Sequence, residues 1–160
     1  MSDKKSWIEK LKSARPHEVT KAPMPIGGAK KGDRLLIPSP QILEDEIRAI
    51  PEGQSRDIEQ LRATLAAKFG AVATCPIATG IQLRAVAEAA YESLGAGATL
   101  QDIAPFWRVL DGSEPITRKL SCGPEFITRR RAFEGVETID PVIDEEAARR
   151  ERYNSKSLWA

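Results

Sequence analysis

The chain has 160 residues, of which 41% are hydrophobic and 29% are charged, and its formal net charge is +1. These values predict a soluble globular domain and exclude a strongly basic or acidic protein. Two cysteines and one histidine are too few for a structural zinc site, and we expect no metal and no other cofactor. We find no apolar run long enough for a membrane span and no signal peptide, which favours a cytoplasmic protein without membrane contact.

The first 34 residues predict a short helix followed by an irregular arm. Trp7, Ile8 and Leu11 have the spacing of one helical face. Six prolines and glycines between residues 15 and 35 are expected to prevent regular structure there. We therefore divide the chain into this arm (1–34), a compact domain (35–136), and a charged C-terminal helix and tail (137–160).

Two helices are predicted at the start of the compact domain. Ser39 is expected to cap the first helix, with Pro40 at the first helical position, where its missing N–H is harmless. Asp57 is expected to cap the second helix, and Gly70 to end it. Apolar residues recur at helical spacing in both segments, which predicts that each helix buries one face.

The third helix of this region is expected to begin at a capping box formed by Thr79 and Gln82. These residues are three positions apart, so their side chains can satisfy opposite backbone donors. The helix is expected to end near Leu94. The second and third helices, joined by a short loop, have the order of a helix-turn-helix.

The segment 104–112 places Phe106 and Trp107 between Pro105 and Arg108. Large rings beside a fixed backbone and a cation suit a pocket wall, and they equally suit a buried core. These residues alone leave both interpretations open.

The last helix of the domain is expected to begin at Gly123 and to end at Gly135. Its apolar side is predicted to contain Phe126, Ile127 and Phe133.

Four segments of the domain match one family in order and spacing: Ile50-Pro51-Glu52-Gly53-Gln54-Ser55-Arg56-Asp57-Ile58-Glu59-Gln60-Leu61, Leu83-Arg84-Ala85-Val86-Ala87, Pro105-Phe106-Trp107-Arg108-Val109, and Ser121-Cys122-Gly123 through Glu134-Gly135. They resemble the family motifs Ile-Pro-x-Gly-x-Val-x-Thr-Tyr-Gly-x-Ile, Ala-Arg-Ala-Val-Gly, Pro-Cys-His-Arg-Val, and a Gly-Gly loop with a helix ending in Glu-Gly. The family comprises the O6-methylguanine-DNA methyltransferases and their non-enzymatic relatives, the alkyltransferase-like proteins. The resemblance implies a mainly α, winged-helix-like DNA-binding domain, with the N-terminal arm outside it.

The resemblance also implies that this chain lacks the chemistry of methyl transfer. In the family, a cysteine activated by an adjacent histidine accepts the alkyl group. The matching positions here are Phe106 and Trp107, so no catalytic residue is expected. Alkyltransferase-like proteins also lack the nucleophile, usually with Trp in its place and the His retained, and they bind alkylated guanine in DNA repair. Candidate base-pocket residues are Pro105, Phe106, Trp107, Ser121, Cys122 and Gly123, the alternative being that the rings only fill the core.

Candidate contacts to double-stranded DNA in the minor groove are Thr79, Gln82 and Arg84. By resemblance, Arg84 matches an arginine that enters the duplex and fills the space of a flipped base. The alternative for Arg84 is an ion pair with Glu88, one turn further along the helix. Arg108 matches an arginine with a structural role and is expected to bond backbone carbonyls.

Two other functions remain open from the sequence. Cys122 lies just before a helix, where the helix dipole can stabilise a thiolate, so it is a candidate nucleophile for alkyl transfer. The alternative is that Cys122 simply replaces a small family residue. The charged segment 145–153 and the apolar pair Leu158-Trp159 instead favour a scaffold that binds a protein partner through its C-terminal tail, without DNA.

Overall fold

The computed structural model describes residues 5–136. The described chain is about 49% helical and 9% strand, so its fold is mixed rather than purely helical. No helix in this part of the chain is long and apolar enough to cross a membrane. The predicted C-terminal helix and tail lie outside the described residues. The α-helices are α1 Trp7–Lys12, α2 Pro40–Arg48, α3 Ile58–Lys68, α4 Pro76–Gly95 and α5 Gly123–Phe133; the strands are β1 Glu18–Lys21, β2 Arg34–Ile37 and β3 Ala73–Thr74; 3-10 turns span Phe106–Arg108 and Pro115–Lys119.

The prediction of an irregular N-terminal arm is wrong, because part of it belongs to a three-stranded sheet. β1 pairs antiparallel with β2, with Val19 opposite Leu36, and β2 pairs in parallel with β3. The prolines and glycines lie mainly in the connection between β1 and β2, where three glycines adopt positive φ. The expected boundary at residue 34 therefore falls inside β2 and does not separate the arm from the domain.

The predicted caps of α2 and α3 are confirmed. Ser39 Oγ accepts a hydrogen bond from the Ile42 N–H at 3.3 Å, and Pro40 is the first residue of α2. Asp57 Oδ1 accepts from the Gln60 N–H at 2.7 Å, and Gln60 Oε1 accepts from the Asp57 N–H at 2.9 Å. These bonds satisfy amide groups that the helices leave without a partner at their first turns.

The prediction of a capping box at Thr79 is wrong, because α4 begins three residues earlier at Pro76. The ring of Pro76 is compatible with the first helical position, and the helix then continues without interruption to Gly95. Thr79 is buried, and its hydroxyl donates to the Cys75 carbonyl at 2.7 Å. α3 and α4 keep the predicted helix–turn–helix order, but β3 lies within the turn.

The core lies between α2, α3, α4 and the segment 104–110. Phe133, which was expected on the apolar side of α5, is 75% exposed and does not contribute to it. Burial of a large apolar side chain stabilises a fold by about 1.5–3 kcal/mol. The core therefore fixes the position of the aromatic segment 104–112. The largest fully buried side chains of the described chain are Trp107, Phe106, Leu35, Leu36, Leu43, Ile47, Ile50, Leu61, Leu65, Leu83, Leu110 and Ile127.

Candidate functional site

Phe106 and Trp107 lie inside the core and do not line an open pocket. Phe106 is 0% exposed and Trp107 is 1% exposed, and the preceding Pro105 is buried as well. The ring of Phe126 on α5 stacks on Phe106, with centroids 5.9 Å apart and planes inclined by 17°. Trp107 packs edge-on against Phe106 at 5.5 Å. The ring faces on which a flipped base would stack are covered by the protein's own side chains.

The loop Ser121–Gly123 is held against α4 by Glu88. The Ser121 N–H and hydroxyl each donate to the Glu88 carboxylate at 2.7 Å. Glu88 is 4% exposed, and these two bonds compensate for burying its polar oxygens. The carboxylate that could have paired with Arg84 is therefore engaged by the loop, and the described residues contain no Arg84–Glu88 ion pair.

Cys122 lies at the start of α5, but its surroundings do not favour a thiolate. Burial and the neighbouring Glu88 carboxylate raise the pKa of Cys122 to about 11. Its Sγ contacts the Gly123 carbonyl at 3.4 Å, and the single histidine, His17, lies against Phe69. The expectation of a thiolate stabilised by the helix is corrected by these contacts. The thiol is protonated at neutral pH, a form that is a poor nucleophile.

Arg108 links its own segment to Ile50, just after α2, and to Glu134, at the end of α5. Its Nη1 donates to the Ile50 carbonyl at 2.7 Å, and its Nε and Nη2 donate to the Glu134 carboxylate at 3.0 and 2.8 Å. The indole N–H of Trp107 donates to the same carboxylate at 3.0 Å. The bond to Ile50 is of the kind expected for a structural arginine. The carboxylate partner was not anticipated, although the Glu-Gly pair that ends the matching family helix marked its position.

Glu134 is charged in spite of its burial. Its side chain is 1% exposed and that of Arg108 is 15% exposed. Burial by itself would raise the pKa of Glu134, but the hydrogen bonds from Arg108 and Trp107 outweigh that effect and hold the pKa below its usual value. The buried ion pair fixes the backbone of the aromatic segment in place.

The first half of α4 presents an exposed surface that includes large apolar side chains. Ile77 and Ile81, one turn apart, are 66% and 63% exposed. Of the three predicted DNA contacts, Gln82 and Arg84 are half-buried, whereas Thr79 is 0% exposed. The Thr79 side chain therefore does not reach the surface at which a ligand would bind.

A basic turn lies beside this surface. The 3-10 turn Pro115–Lys119 packs against α4 where a Cβ placed on Gly80 would lie 3.7 Å from the Ile116 side chain. Arg118 and Lys119 of this turn are exposed. Two exposed cations thus belong to a turn that lies next to α4 at Gly80, and they can reach an anionic ligand.

Other features of the described chain do not define a site. Two cavities of about 390 and 190 Å³ are lined by neither Phe106 nor Trp107. Residues 5–136 contain no group of three or more histidine, cysteine or acidic side chains that could hold a metal ion. No family model, no curated protein and no solved structure matches the chain.

Proposed function

We propose that this protein binds double-stranded DNA through the exposed first half of α4, without methyl transfer. The observation that carries the proposal is the exposure of Ile77 and Ile81 on the second helix of a helix–turn–helix unit. The turn that lies next to this helix at Gly80 adds the exposed cations Arg118 and Lys119. Proteins that bind the minor groove insert apolar side chains between base steps, and arginine and lysine neutralise phosphates. Residues 35–136, together with β1 and the rest of β2, then act as a winged-helix-like domain of the alkyltransferase type.

The closed aromatic segment favours a DNA-binding protein that does not read an alkylated base. A flipped guanine needs an open ring face for stacking and space for its edge. The surfaces of Phe106 and Trp107 are occupied by Phe126 and by each other. We therefore propose a role in DNA binding, within repair or elsewhere, in which intact and alkylated duplexes are bound equally.

The first test compares one duplex containing guanine with the same duplex containing O6-methylguanine, at several salt concentrations. We expect the logarithm of the binding constant to fall linearly with the logarithm of salt, by about 0.9 per phosphate neutralised, and equally for both duplexes. Absence of salt-dependent binding to either duplex would refute the proposal. A preference for the alkylated duplex would show instead that the aromatic segment opens.

A pair of matched double variants tests the location of the surface. Arg118→Ala with Lys119→Ala removes the two cations beside α4, and we expect the salt slope to decrease by about 1–2. Lys30→Ala with Lys31→Ala removes the same charge from exposed positions between β1 and β2. Equal losses of affinity for DNA in the two double variants would show that only the total positive charge matters. The cations beside α4 would then have no special role.

A protein-interaction scaffold is the second candidate, because exposed isoleucines on a helix also suit a protein partner. The double variant Ile77→Ser/Ile81→Ser would weaken the binding of DNA or of a protein partner. The dependence of the binding constant on salt distinguishes the two candidate functions. If the scaffold is correct, Arg84→Ala and the Arg118/Lys119 double variant leave the affinity for DNA unchanged. The predicted role of the C-terminal tail in such binding concerns residues outside the described chain.

A further inference from the structure

The N-terminal helix α1 packs across α4 at the position of Arg84. The guanidinium carbon of Arg84 lies 5.5 Å from the centre of the Trp7 ring, and Lys10 Nζ lies 4.4 Å from the same ring. The Nε of Arg84 is buried and has no hydrogen-bond partner. The Arg84 guanidinium is therefore held by the Trp7 ring, while its Nε remains an unused donor.

Glu92 anchors the start of α1 to the same helix that carries Arg84. Its carboxylate accepts hydrogen bonds from the Trp7 N–H at 3.1 Å and from the Ile8 N–H at 3.4 Å. A carboxylate at this position satisfies amide groups without a helical partner and complements the helix dipole. The end of α1 is held by Gln41 of α2, whose Nε2 donates to the Leu11 carbonyl at 2.6 Å.

Besides these anchors, α1 is held by contacts along α4. It has six residues, none of which is buried, and Leu11 packs against the main core. Ile8 and Leu11 of α1 and Val86 and Ala90 of α4 line a cavity of about 190 Å³. A helix of this length is unstable by itself in water, so α1 depends on its contacts with α4 and α2 to stay in place.

We infer that α1 is an autoinhibitory cover, which must leave α4 before the Arg84 guanidinium can contact a DNA duplex. This inference rests on the proposed function, since it concerns the regulation of the same DNA-binding surface. The Trp7 ring lies against the Arg84 guanidinium, so this face cannot contact DNA while α1 stays in place. The measured affinity for DNA then equals the intrinsic affinity multiplied by the fraction of molecules in which α1 has left. Loss of an anchor increases this fraction and strengthens DNA binding.

Binding of one unmodified duplex to the full chain and to three variants tests the inference. Glu92→Ala removes the anchor, and we expect binding about 10-fold tighter because two hydrogen bonds to a carboxylate are lost. Trp7→Ala removes the ring, and we expect binding about 2- to 5-fold tighter. The matched control is Glu44→Ala, which removes the same charge beside the same cavity but pairs with Arg48 on its own helix. We expect the control to change the affinity less than about 2-fold.

Hydrogen exchange of the amides in α1 gives a second measurement. We expect faster exchange at residues 7–12 in Glu92→Ala without DNA, and in the unsubstituted protein when DNA is added. Slower exchange of α1 on adding DNA would overturn the inference, since α1 would then be part of the bound surface. Equal DNA affinities in the unsubstituted protein, Glu92→Ala and Trp7→Ala would also overturn it, while leaving DNA binding intact. If none of the four proteins binds DNA at low salt, the proposed function fails and the inference fails with it.

Discussion

Replacement of Glu134 by alanine should strongly destabilise the domain. The change leaves the Arg108 guanidinium, 15% exposed, without its carboxylate and the Trp107 indole N–H without its acceptor. Removing one member of a buried ion pair costs about 3–5 kcal/mol. The bond from Arg108 to the Ile50 carbonyl remains, and the guanidinium retains some contact with water. We therefore expect a loss near the lower limit, about 3 kcal/mol, from a domain stability on the order of 5–15 kcal/mol.

Urea unfolding followed by tryptophan fluorescence measures this loss. The midpoint should fall while the slope with denaturant stays the same, because the surface exposed on unfolding does not change. Glu134→Gln keeps one acceptor oxygen and should lose about half as much, on the order of 1–2 kcal/mol. The control, Glu44→Ala, breaks an exposed pair with Arg48 and should cost at most about 0.5 kcal/mol. A loss for Glu134→Ala within 1 kcal/mol of the control (roughly the spread of exposed pairs) would refute the reasoning.

The contribution of Glu134 to the stability of the fold should decrease at acidic pH. Because the folded-state pKa of Glu134 lies below its usual value of 4.5, the ionised carboxylate stabilises the fold above that pH. This contribution should be lost as the pH falls through the folded-state pKa. The difference in stability between the unsubstituted protein and Glu134→Gln should therefore be constant near neutrality and decrease below about pH 4.5.

Three further predictions concern the thiol, a turn and the closed ring stack. Iodoacetamide should label Cys122 slowly at pH 8 and faster as the pH approaches 11, and Glu88→Gln should accelerate this labelling. Incubation with benzylguanine should leave the intact mass of the protein unchanged. Labelling of Cys122 in the folded protein at the rate of the unfolded chain would contradict the raised pKa. Gly27→Ala should destabilise the protein by about 1–2 kcal/mol more than Gly28→Ala. Both glycines have positive φ, but only a Cβ at position 27 would lie within 2.9 Å of the Pro76 ring. Equal urea midpoints for the two variants would refute this prediction. Phe126→Ala should cost about 2–3 kcal/mol by the same assay, and an unchanged midpoint would show that the ring stack does not contribute.

The helix ends that could be predicted from the sequence are those set by neighbouring residues. Ser39, Asp57 and Gly70 act on backbone groups within a few positions, and the caps and the positive φ of Gly70 are all present. Two residues near the start of α4, Pro76 and Thr79, each favour a helix start. The helix begins at Pro76, so Thr79 lies inside it and is not a cap.

Long-range contacts determined what the sequence could not predict. β1 was missed because its regular structure comes from pairing with β2, which local proline and glycine content does not report. Glu134 lies 26 residues after Arg108, and only the fold brings the two together. The sequence identified the aromatic segment, but whether its rings face a pocket depends on Phe126, which is supplied by another helix.

The two-residue strand β3 has a kinetic consequence for the surface of α4. Its parallel pairing with β2 joins positions far apart in the chain, whereas β1 and β2 close a shorter loop, so β3 should pair late in folding. The Cys75 N–H donates to the Leu36 carbonyl at 2.9 Å. Because Cys75 immediately precedes α4, this hydrogen bond connects β2 to the start of the helix. Substitutions in β3 should therefore accelerate unfolding more than they slow folding. We therefore expect the exposed first turns of α4 to take their final orientation only when β3 pairs with β2.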